Sequence, residues 1–429
     1  VEVVGVLVEG DDVGAAPVGL ERVPPRAAAD VDHRGAGTDA EPQTIFASQT
    51  GTYSAFDYSS PAKSSDACTF TVAGKRREEI RDLVSLRTLL AMTSSGELSI
   101  AGSGGGQITP SSIDIKSQSR YGTSWVSPVV VGNAVVFVQD RGSALRDFAY
   151  DFSADGYVGS ELSVLARHLL DGHSVVGMAY AKSPDSIVWA IRDDGVLLGM
   201  TYVRDQEVYG WHVHDTDGAF ESVCAIPEGT EDAVYVVVRR TVGGRDVRHV
   251  ERMASRLDAE VFLDDAIVFT SAQGGGKTTL GGFDHLEGRT LSAVLDGEVV
   301  TGLLVTDGKI VLPHAVEYRG VAGLPYVSRA RLLPVSAQDS DVRTRAKRVT
   351  KVFVELRATR GGWAGSGVGD MVEMRQRKVS DSFAVPAEVE GIAEIRVGSS
   401  WERDAEAVIE QRDPLPMTVL AVSREVQVG

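Results

Sequence analysis

The sequence predicts an all-β protein, and three observations lead to this prediction. Valine-rich runs of about four to eight residues recur between glycine and aspartate turns, as in short strands joined by tight turns. Glycine is abundant, with 46 residues in a chain of 429. Only the segment 160–172 (SELSVLARHLLDG) has the pattern of a helix, with a serine cap before it and a glycine after it.

A repeated unit is the most informative feature of the chain. Five segments each contain an apolar run, a polar turn with glycine and a second apolar run: 44–58, 89–102, 135–150, 187–202 and 234–253. The successive turn glycines are 45, 46, 53 and 49 residues apart: Gly51, Gly96, Gly142, Gly195 and Gly244. A unit of this length can hold one four-stranded blade, so we predict a β-propeller over residues 44–256 with about five repeats of 45–53 residues. A β-sandwich with irregular meanders is the alternative.

The pattern changes after residue 256, where we predict additional small β-barrel or β-sandwich domains. Asp-Gly pairs at 296–297 and 307–308 are strong hairpin signals and define a small β-domain over 257–335. A C-terminal β-domain follows over 336–429. Residues 1–43 are predicted to form an N-terminal strand and an arm.

Charge and composition exclude several classes of protein. The formal net charge is −17, with 60 acidic and 43 basic residues, which is the opposite of a protein that grips phosphates. A channel lined by carboxylates would instead let DNA slide through. Cys68 and Cys224 are too few for a disulfide framework or a zinc site, and we predict buried thiols. The longest apolar stretch, 127–138, is too short to cross a bilayer, and residues 1–12 lack the basic start of a signal peptide.

The segment 271–280 (SAQGGGKTTL) resembles part of a phosphate-binding loop. Gly276, Lys277 and Thr278 fit the end of the motif G-x-x-x-x-G-K-[ST], but Ser271 replaces its first glycine. Glycines downstream also oppose the helix that the motif requires, at roughly 1 kcal/mol each. We therefore predict a glycine loop between strands rather than a nucleotide site.

The segment 211–218 (WHVHDTDG) is the best metal candidate in the sequence. His212 and His214 would project from the same face of a strand, as two imidazole ligands of one metal require, and Asp215 and Asp217 add oxygens. The sequence offers no third convergent ligand. We therefore favour a strand that ends in a turn.

The segment 342–351 is the main basic cluster. Arg343, Arg345 and Lys347 alternate, which predicts one charged strand face or a subunit contact rather than a DNA-binding surface. The nucleophile motif G-x-S-x-G does not occur. We predict no catalytic, cofactor-binding or metal residues, no cofactor and no enzymatic activity.

Several segments together resemble the tail nozzle family, also called tail tubular protein B, of short-tailed double-stranded DNA bacteriophages. They are 42–61, 211–253, 283–297, 323–334 and 412–422. The resemblance runs in order over roughly residues 42–429, and residues 1–41 carry none of these motifs.

This resemblance implies a non-enzymatic virion protein, a β-propeller with added β-domains. Six copies would form the distal ring of the tail tube through which DNA is ejected. The implied partners are an adaptor ring, tail fibres or spikes, and viral DNA that passes through the lumen without sequence recognition. The protein would lie in the virion tail after assembly in the host cytoplasm, without a membrane span. We expect subunit contacts through the 257–334 domain and the C-terminal domain.

The alternative function is a carbohydrate-binding or polysaccharide-degrading propeller on a phage tail. It would need a carboxylate pair about 5 to 10 Å apart in a cleft, or an exposed aromatic platform. The aromatic candidates are Trp125, Trp189, Trp211, Trp363 and Trp401. Because Ile187, Trp189 and Ile191 share one apolar strand face, Trp189 is predicted to lie in the core.

Overall fold

The computed structural model confirms that the protein is all-β. It describes residues 3–4, 34–36, 41–52, 54–72, 78–141, 144–256, 261–270, 276–316, 319–335, 342–374, 387–398 and 400–429. The helices among these residues are four single 3-10 turns: Ser103–Gly105, Arg167–Leu169, Arg204–Gln206 and Asp284–Leu286. None of the helices in this described part could span a membrane.

The described residues fall into two compact units. The N-terminal unit ends at Val238, within a strand, and the C-terminal unit starts at Arg239 and also includes Val3–Val4. The first nineteen strands are β1 (Val3–Val4), β2 (Arg34–Ala36), β3 (Thr44–Ala47), β4 (Cys68–Thr71), β5 (Ile80–Ser85), β6 (Leu89–Thr93), β7 (Glu97–Ala101), β8 (Asp114–Ser119), β9 (Val129–Val131), β10 (Ala134–Val138), β11 (Leu145–Asp151), β12 (Gly156–Val158), β13 (Val175–Ala181), β14 (Ile187–Arg192), β15 (Leu197–Val203), β16 (Val208–His214), β17 (Ala219–Glu228), β18 (Glu231–Val242) and β19 (Arg245–Met253). Their sheets have the orders β2-β3-β4, β5-β6-β7-β8, β12-β11-β10-β9, β13-β14-β15-β16 and β1-β19-β18-β17.

Four of the five predicted repeats coincide with the two central strands of a four-stranded sheet. These hairpins are β6–β7, β10–β11, β14–β15 and β18–β19. Gly195, in the turn between β14 and β15, has φ +84°, a conformation that favours glycine. Strands β6, β10 and β14 are buried at nearly every position, and cover on both faces explains their nearly continuous apolar runs.

The first repeat differs from the prediction. The segment 44–58 contains β3, but the next strand is β4, which starts only at Cys68. Asp66 organises the intervening loop, because its carboxylate accepts backbone hydrogen bonds from Ser59 (3.0 Å) and Lys63 (2.8 Å). Side chain-to-backbone bonds of this kind compete with a strand ladder.

Successive sheets of the N-terminal unit pack face to face through alternate residues of their central strands. In β10, Val136 and Val138 share a core with the sheet β13–β16, whereas Val135 and Phe137 share a core with the sheet β5–β8. In β6, Leu90 and Met92 belong to the core shared with β10, and the alternate residues Leu89 and Ala91 pack on the sheet β2–β4. Each middle sheet is therefore buried on both sides.

The predicted helix at 160–172 is wrong, because only Arg167–Leu169 forms a 3-10 turn. The start of the segment is held by the neighbouring strand β11: Leu162 N donates to Leu145 O (2.9 Å), and Leu145 N donates to Ser163 Oγ (3.3 Å). The apolar residues Leu162, Ala166 and Leu170 are buried. Their spacing of four produced the helical pattern without a helix.

The C-terminal unit contains four further sheets. Its strands after β19 are β20 (Asp264–Thr270), β21 (Lys277–Gly281), β22 (Thr290–Leu295), β23 (Glu298–Leu304), β24 (Lys309–Val316), β25 (Arg319–Leu324), β26 (Ser328–Arg331), β27 (Lys347–Thr359), β28 (Trp363–Gly365), β29 (Met371–Glu373), β30 (Val389–Arg396), β31 (Val408–Gln411) and β32 (Thr418–Val428). The sheets β20-β25-β22-β23 and β21-β24 share one core around Phe283. The sheets β26-β31-β28-β29 and β30-β27-β32 share another around Val352 and Ile409.

Both Asp-Gly turns are confirmed: the first closes the hairpin β22–β23, whereas the second leads from β23 into β24, which pairs with β21 in another sheet. Asp296 and Gly297 have φ +49° and +89° and connect β22 to β23, and Asp307 and Gly308 have φ +51° and +64° and connect β23 to β24. Positive φ at both central residues is the geometry of a type I′ turn. Strand β26 pairs with β31, so this ladder joins residues on either side of the predicted boundary at 335.

Candidate functional site

A buried cluster of ionisable side chains in the C-terminal unit is the candidate site. Strand β18 supplies Arg240, β19 supplies Glu251, the start of β20 supplies Asp264 and Asp265, and the 3-10 turn Asp284–Leu286 supplies His285. The side chains of Arg240 and Glu251 are 3% and 1% exposed. Charges are buried to this extent only when they are paired, so the cluster is a specific arrangement rather than a solvated patch.

Two carboxylates hold the guanidinium of Arg240. Its Nε and Nη2 donate to the two oxygens of Glu251 at 2.7 and 2.9 Å, and Nη2 also donates to Asp264 Oδ1 at 3.2 Å. Burial alone would lower the pKa of Arg240, but Glu251 and Asp264 hold it above its usual value. Bidentate bonds to a fixed guanidinium define the positions of both carboxylates.

A β-bulge turns the second aspartate into the same cluster. The register of β20 against β25 shifts between Asp264 and Ile267, and Asp265 has φ +47°. In a regular strand, adjacent side chains point to opposite faces, so the bulge is what brings both aspartates to Arg240. Asp265 Oδ2 lies 3.4 Å from Arg240 Nε, and Asp265 Oδ1 lies 3.4 Å from His285 Nε2.

Two buried atoms of this cluster have no hydrogen-bond partner among the described residues. They are Asp265 Oδ2 and His285 Nδ1, on side chains that are 2% and 8% exposed. Buried polar atoms in native proteins are nearly always bonded, and an exception calls for a specific explanation. Burial would raise the pKa of Asp265, but the contacts with His285 and Arg240 hold it below its usual value.

His249 completes the cluster. It lies two residues before Glu251 on β19, so both side chains project from the inward face of that strand. Single ligand atoms of His249, Glu251 and Asp265 lie within 4.8 Å of one another. Burial raises the pKa of Glu251 and lowers that of His249. Three carboxyl groups of the cluster face the one guanidinium of Arg240.

The sequence reasoning did not single out any of these residues. One local signal is the pair Asp264-Asp265 directly before the apolar run of β20. His249 and Glu251 alternate with Arg248 and Val250, which are the exposed residues of this strand. Ionisable side chains of this strand point inward while Val250 points outward, which is the reverse of an ordinary amphipathic strand. This pattern could have indicated an inward polar face.

The structure places His212 and His214 side by side in the N-terminal unit, as predicted for one strand face. His212 Nδ1 and His214 Nε2 are 2.6 Å apart, and both rings pack on Trp189. Burial lowers the pKa of His214 to about 2. The pair does not belong to any group of three potential metal ligands found among the described residues, so the interpretation as a strand end agrees better with the geometry.

The structure also bears on the predictions for the segments 271–280 and 342–351. Residues 271–275 lie outside the described residues, and Lys277 begins the strand β21 rather than a helix. The predicted charged face at 342–351 is wrong, because β27 begins only at Lys347 and this side chain is buried. Lys347 Nζ donates to the carbonyls of Val342 (2.6 Å) and Arg345 (3.3 Å) and thus stabilises the preceding loop.

The tryptophans and cysteines considered in the sequence differ in burial. Trp189 is 1% exposed, which confirms its assignment to the core, whereas Trp125 and Trp401 are 54% and 52% exposed. Cys68 is buried as predicted, but Cys224 is exposed, and neither forms a disulfide. Strand β17 carries Cys224 at an exposed position of its alternating pattern.

A cavity of about 450 Å³ lies in the C-terminal unit beside β26 and β31. Its wall includes Glu410, which is 1% exposed and accepts hydrogen bonds from Arg329 (2.6 Å) and Arg412 (2.8 Å). Burial would raise the pKa of Glu410, but the two arginines hold it below its usual value. This carboxylate is therefore fixed as an anion and is unsuited to proton transfer near neutral pH.

Comparisons with known proteins leave the family open. No protein-family model and no curated protein matches the chain. A solved structure described as luciferin-regenerating enzyme is 12% identical, with a TM-score of 0.24, and the alignment covers 51% of this chain and 90% of that one. A TM-score of this size carries no argument about fold or activity.

Proposed function

We propose that the protein is a phage tail nozzle subunit in which residues 44–256 form a β-propeller and the following residues form small barrel or sandwich domains. The observation that supports the propeller is the serial packing of four-stranded meanders, of which β5–β8 and β9–β12 are each covered on both faces by a neighbouring sheet. A single blade cannot cover its own two faces. In a propeller, consecutive blades pack face to face around a central axis and so cover one another.

Polar contacts between successive sheets support the same arrangement. Gln118 on β8 accepts a hydrogen bond from Tyr157 N on β12 (2.8 Å). Asp232 on β18 accepts one from the backbone of Lys182, just after β13 (2.6 Å). Each joins one sheet to the next, so the spacing between neighbouring sheets is specified by bonds as well as by apolar cores.

The nozzle role rests on the resemblance of the five segments to the tail nozzle family and on the charge of −17. A ring of six acidic subunits would surround a lumen that repels the phosphate backbone, so that DNA passes without adhering. We propose a homohexamer, without enzymatic activity, that contacts an adaptor ring and tail fibres or spikes. Its location would be the virion tail after assembly in the host cytoplasm.

Electron microscopy of the purified protein, together with its mass in solution, tests this proposal. We expect a six-fold ring with a central channel and a mass about six times the 45.7 kDa of one chain. A strictly monomeric protein at all concentrations, and in the presence of an adaptor ring, would overturn the nozzle role. Binding of the monomer to a glycan array, lost in Trp125→Ala, would then support the alternative of a carbohydrate-binding propeller.

A further inference from the structure

We propose that His249, Glu251 and Asp265 bind a divalent transition-metal ion of the zinc class, which ties β19 to the start of β20. The site lies wholly within the C-terminal unit, and the inference does not depend on the nozzle proposal. Its role would be structural, because Glu251 and Asp265 are buried and His249 is half-buried.

Charge is the first reason for a divalent cation. Glu251, Asp264 and Asp265 surround one guanidinium, so that buried carboxyl groups exceed the cations that face them, and unpaired buried ions are costly. A divalent cation balances this excess. The contacts with Arg240 do not prevent coordination, because each carboxylate oxygen has a second lone pair.

Geometry is the second reason. The three ligand atoms lie within 4.8 Å of one another. Tetrahedral ligands about 2.1 Å from one zinc ion are about 3.4 Å apart, so the atoms need to approach by up to about 1.4 Å, which rotation of the side chains can supply. A nitrogen ligand with two carboxylate oxygens suits zinc better than magnesium or calcium, which prefer oxygen ligands alone.

The buried atoms without a hydrogen bond are the third reason. Asp265 Oδ2 accepts no hydrogen bond within the described part of the chain and has only an ion-pair contact with Arg240 Nε at 3.4 Å, so it keeps a lone pair for a metal. The contact of Asp265 Oδ1 with His285 Nε2 (3.4 Å) is a second support that would orient the ligating carboxylate, as partners of metal ligands usually do. The left-handed backbone of Asp265 is a local strain of the kind that is found at binding sites.

Metal analysis of the full-length protein tests the proposal. The chain is stripped with a chelator, titrated with Zn²⁺ or Mg²⁺ in calorimetry, and its zinc content is measured after dialysis. We expect one zinc per chain, with a Kd at least ten times lower than that for Mg²⁺. A Zn²⁺ concentration 100 times the Kd should raise the Tm by at least about 2 °C.

Matched variants locate the bound ion. His249→Gln and Asp265→Asn should each lower zinc affinity at least tenfold. His173→Gln should leave it unchanged, although His173 lies 3.2 Å from Asp193 in a more exposed His-Asp-Asp group. Absence of stoichiometric zinc in the wild-type chain overturns the proposal even if a variant fails to fold. Equal binding by wild type and a folded His249→Gln overturns it too, as does loss of binding in His173→Gln.

Discussion

The hydroxyl of Tyr202 donates a 3.0 Å hydrogen bond to Asp147 Oδ2 and thereby joins β15 to β11 of the neighbouring sheet. Both residues are buried, and the other oxygen of Asp147 accepts a hydrogen bond from Ser160 N (2.8 Å). Burial and the charge of Asp147 raise the pKa of Tyr202. The bond therefore satisfies a carboxylate at the centre of the sheet-to-sheet contact.

Tyr202→Phe should lower the free energy of unfolding by about 1 to 3 kcal/mol, because a buried carboxylate loses a donor. Urea unfolding measures this change. Tyr150→Phe is the control, since its hydroxyl donates to the exposed Asp155 (2.8 Å) and water can replace it. Equal effects of the two substitutions would contradict a special role for the inter-sheet bond.

Gly199 should not tolerate a side chain. A Cβ atom there would lie 2.0 Å from Cε1 of His212, whose ring is fixed against Trp189. We expect Gly199→Ala to cost about 1 to 3 kcal/mol in a thermal or urea unfolding experiment. Gly210→Ala, on the adjacent strand, would meet only Thr201 Cβ at 3.8 Å and should be nearly neutral. Similar losses for both would show that the His212 contact is not the cause.

Arg240→Met should be the most destabilising substitution of an arginine in β18. It removes the partner of buried carboxylates, and uncompensated buried charge costs about 3 to 5 kcal/mol. Arg239→Met is the neighbouring control, because Arg239 is 43% exposed and pairs with the exposed Asp246 (3.2 Å). The free energy of unfolding lost in Arg239→Met should stay below about 1 kcal/mol. Comparable denaturation midpoints for the two variants would refute the predicted difference in stability.

The stability of the N-terminal unit should fall below about pH 6.5 because of His214. The pKa of histidine is about 6.5 in an unfolded chain, whereas burial lowers that of His214 to about 2. Between these values the unfolded chain binds a proton that the folded chain does not, so acid favours unfolding. From pH 7.5 to pH 5 the expected loss from this group is about 2 kcal/mol.

His214→Gln tests this pH dependence, because it removes the titrating group. The slope of unfolding free energy against pH should become shallower in this variant over pH 5–6.5. His168→Gln, at an exposed position, should keep the wild-type slope. An unchanged slope in His214→Gln would assign the pH dependence to other groups.

Much of the fold could be predicted because local patterns and tertiary structure agree. Apolar runs such as 134–138 marked central strands, and Asp296-Gly297 marked a hairpin, since both depend on neighbouring residues alone. The segment 160–172 was misread because burial at a spacing of four also arises in a coil held against β11.

The candidate site escaped prediction for a different reason. Arg240, Glu251 and His285 come from separate elements, and only tertiary structure brings them together. Asp265 faces the cluster through a bulge, which breaks the period of two on which strand prediction depends. Lys347 was read as a surface charge, although its amine is buried against three carbonyl groups.

The long ladders of the C-terminal unit have a consequence for the order of events on the ribosome. Ser328 pairs with Gln411, and Lys347 pairs with Val428, so the first ladder cannot close until residues 408–411 have left the exit tunnel, and the second cannot close until residues 418–428 have done so. The sheets β5–β8, β9–β12 and β13–β16 instead consist of strands consecutive in the chain, so each can assemble once its own segment has emerged. Nascent chains should thus contain folded N-terminal meanders while strands β26 and β27 are not yet paired with β31 and β32.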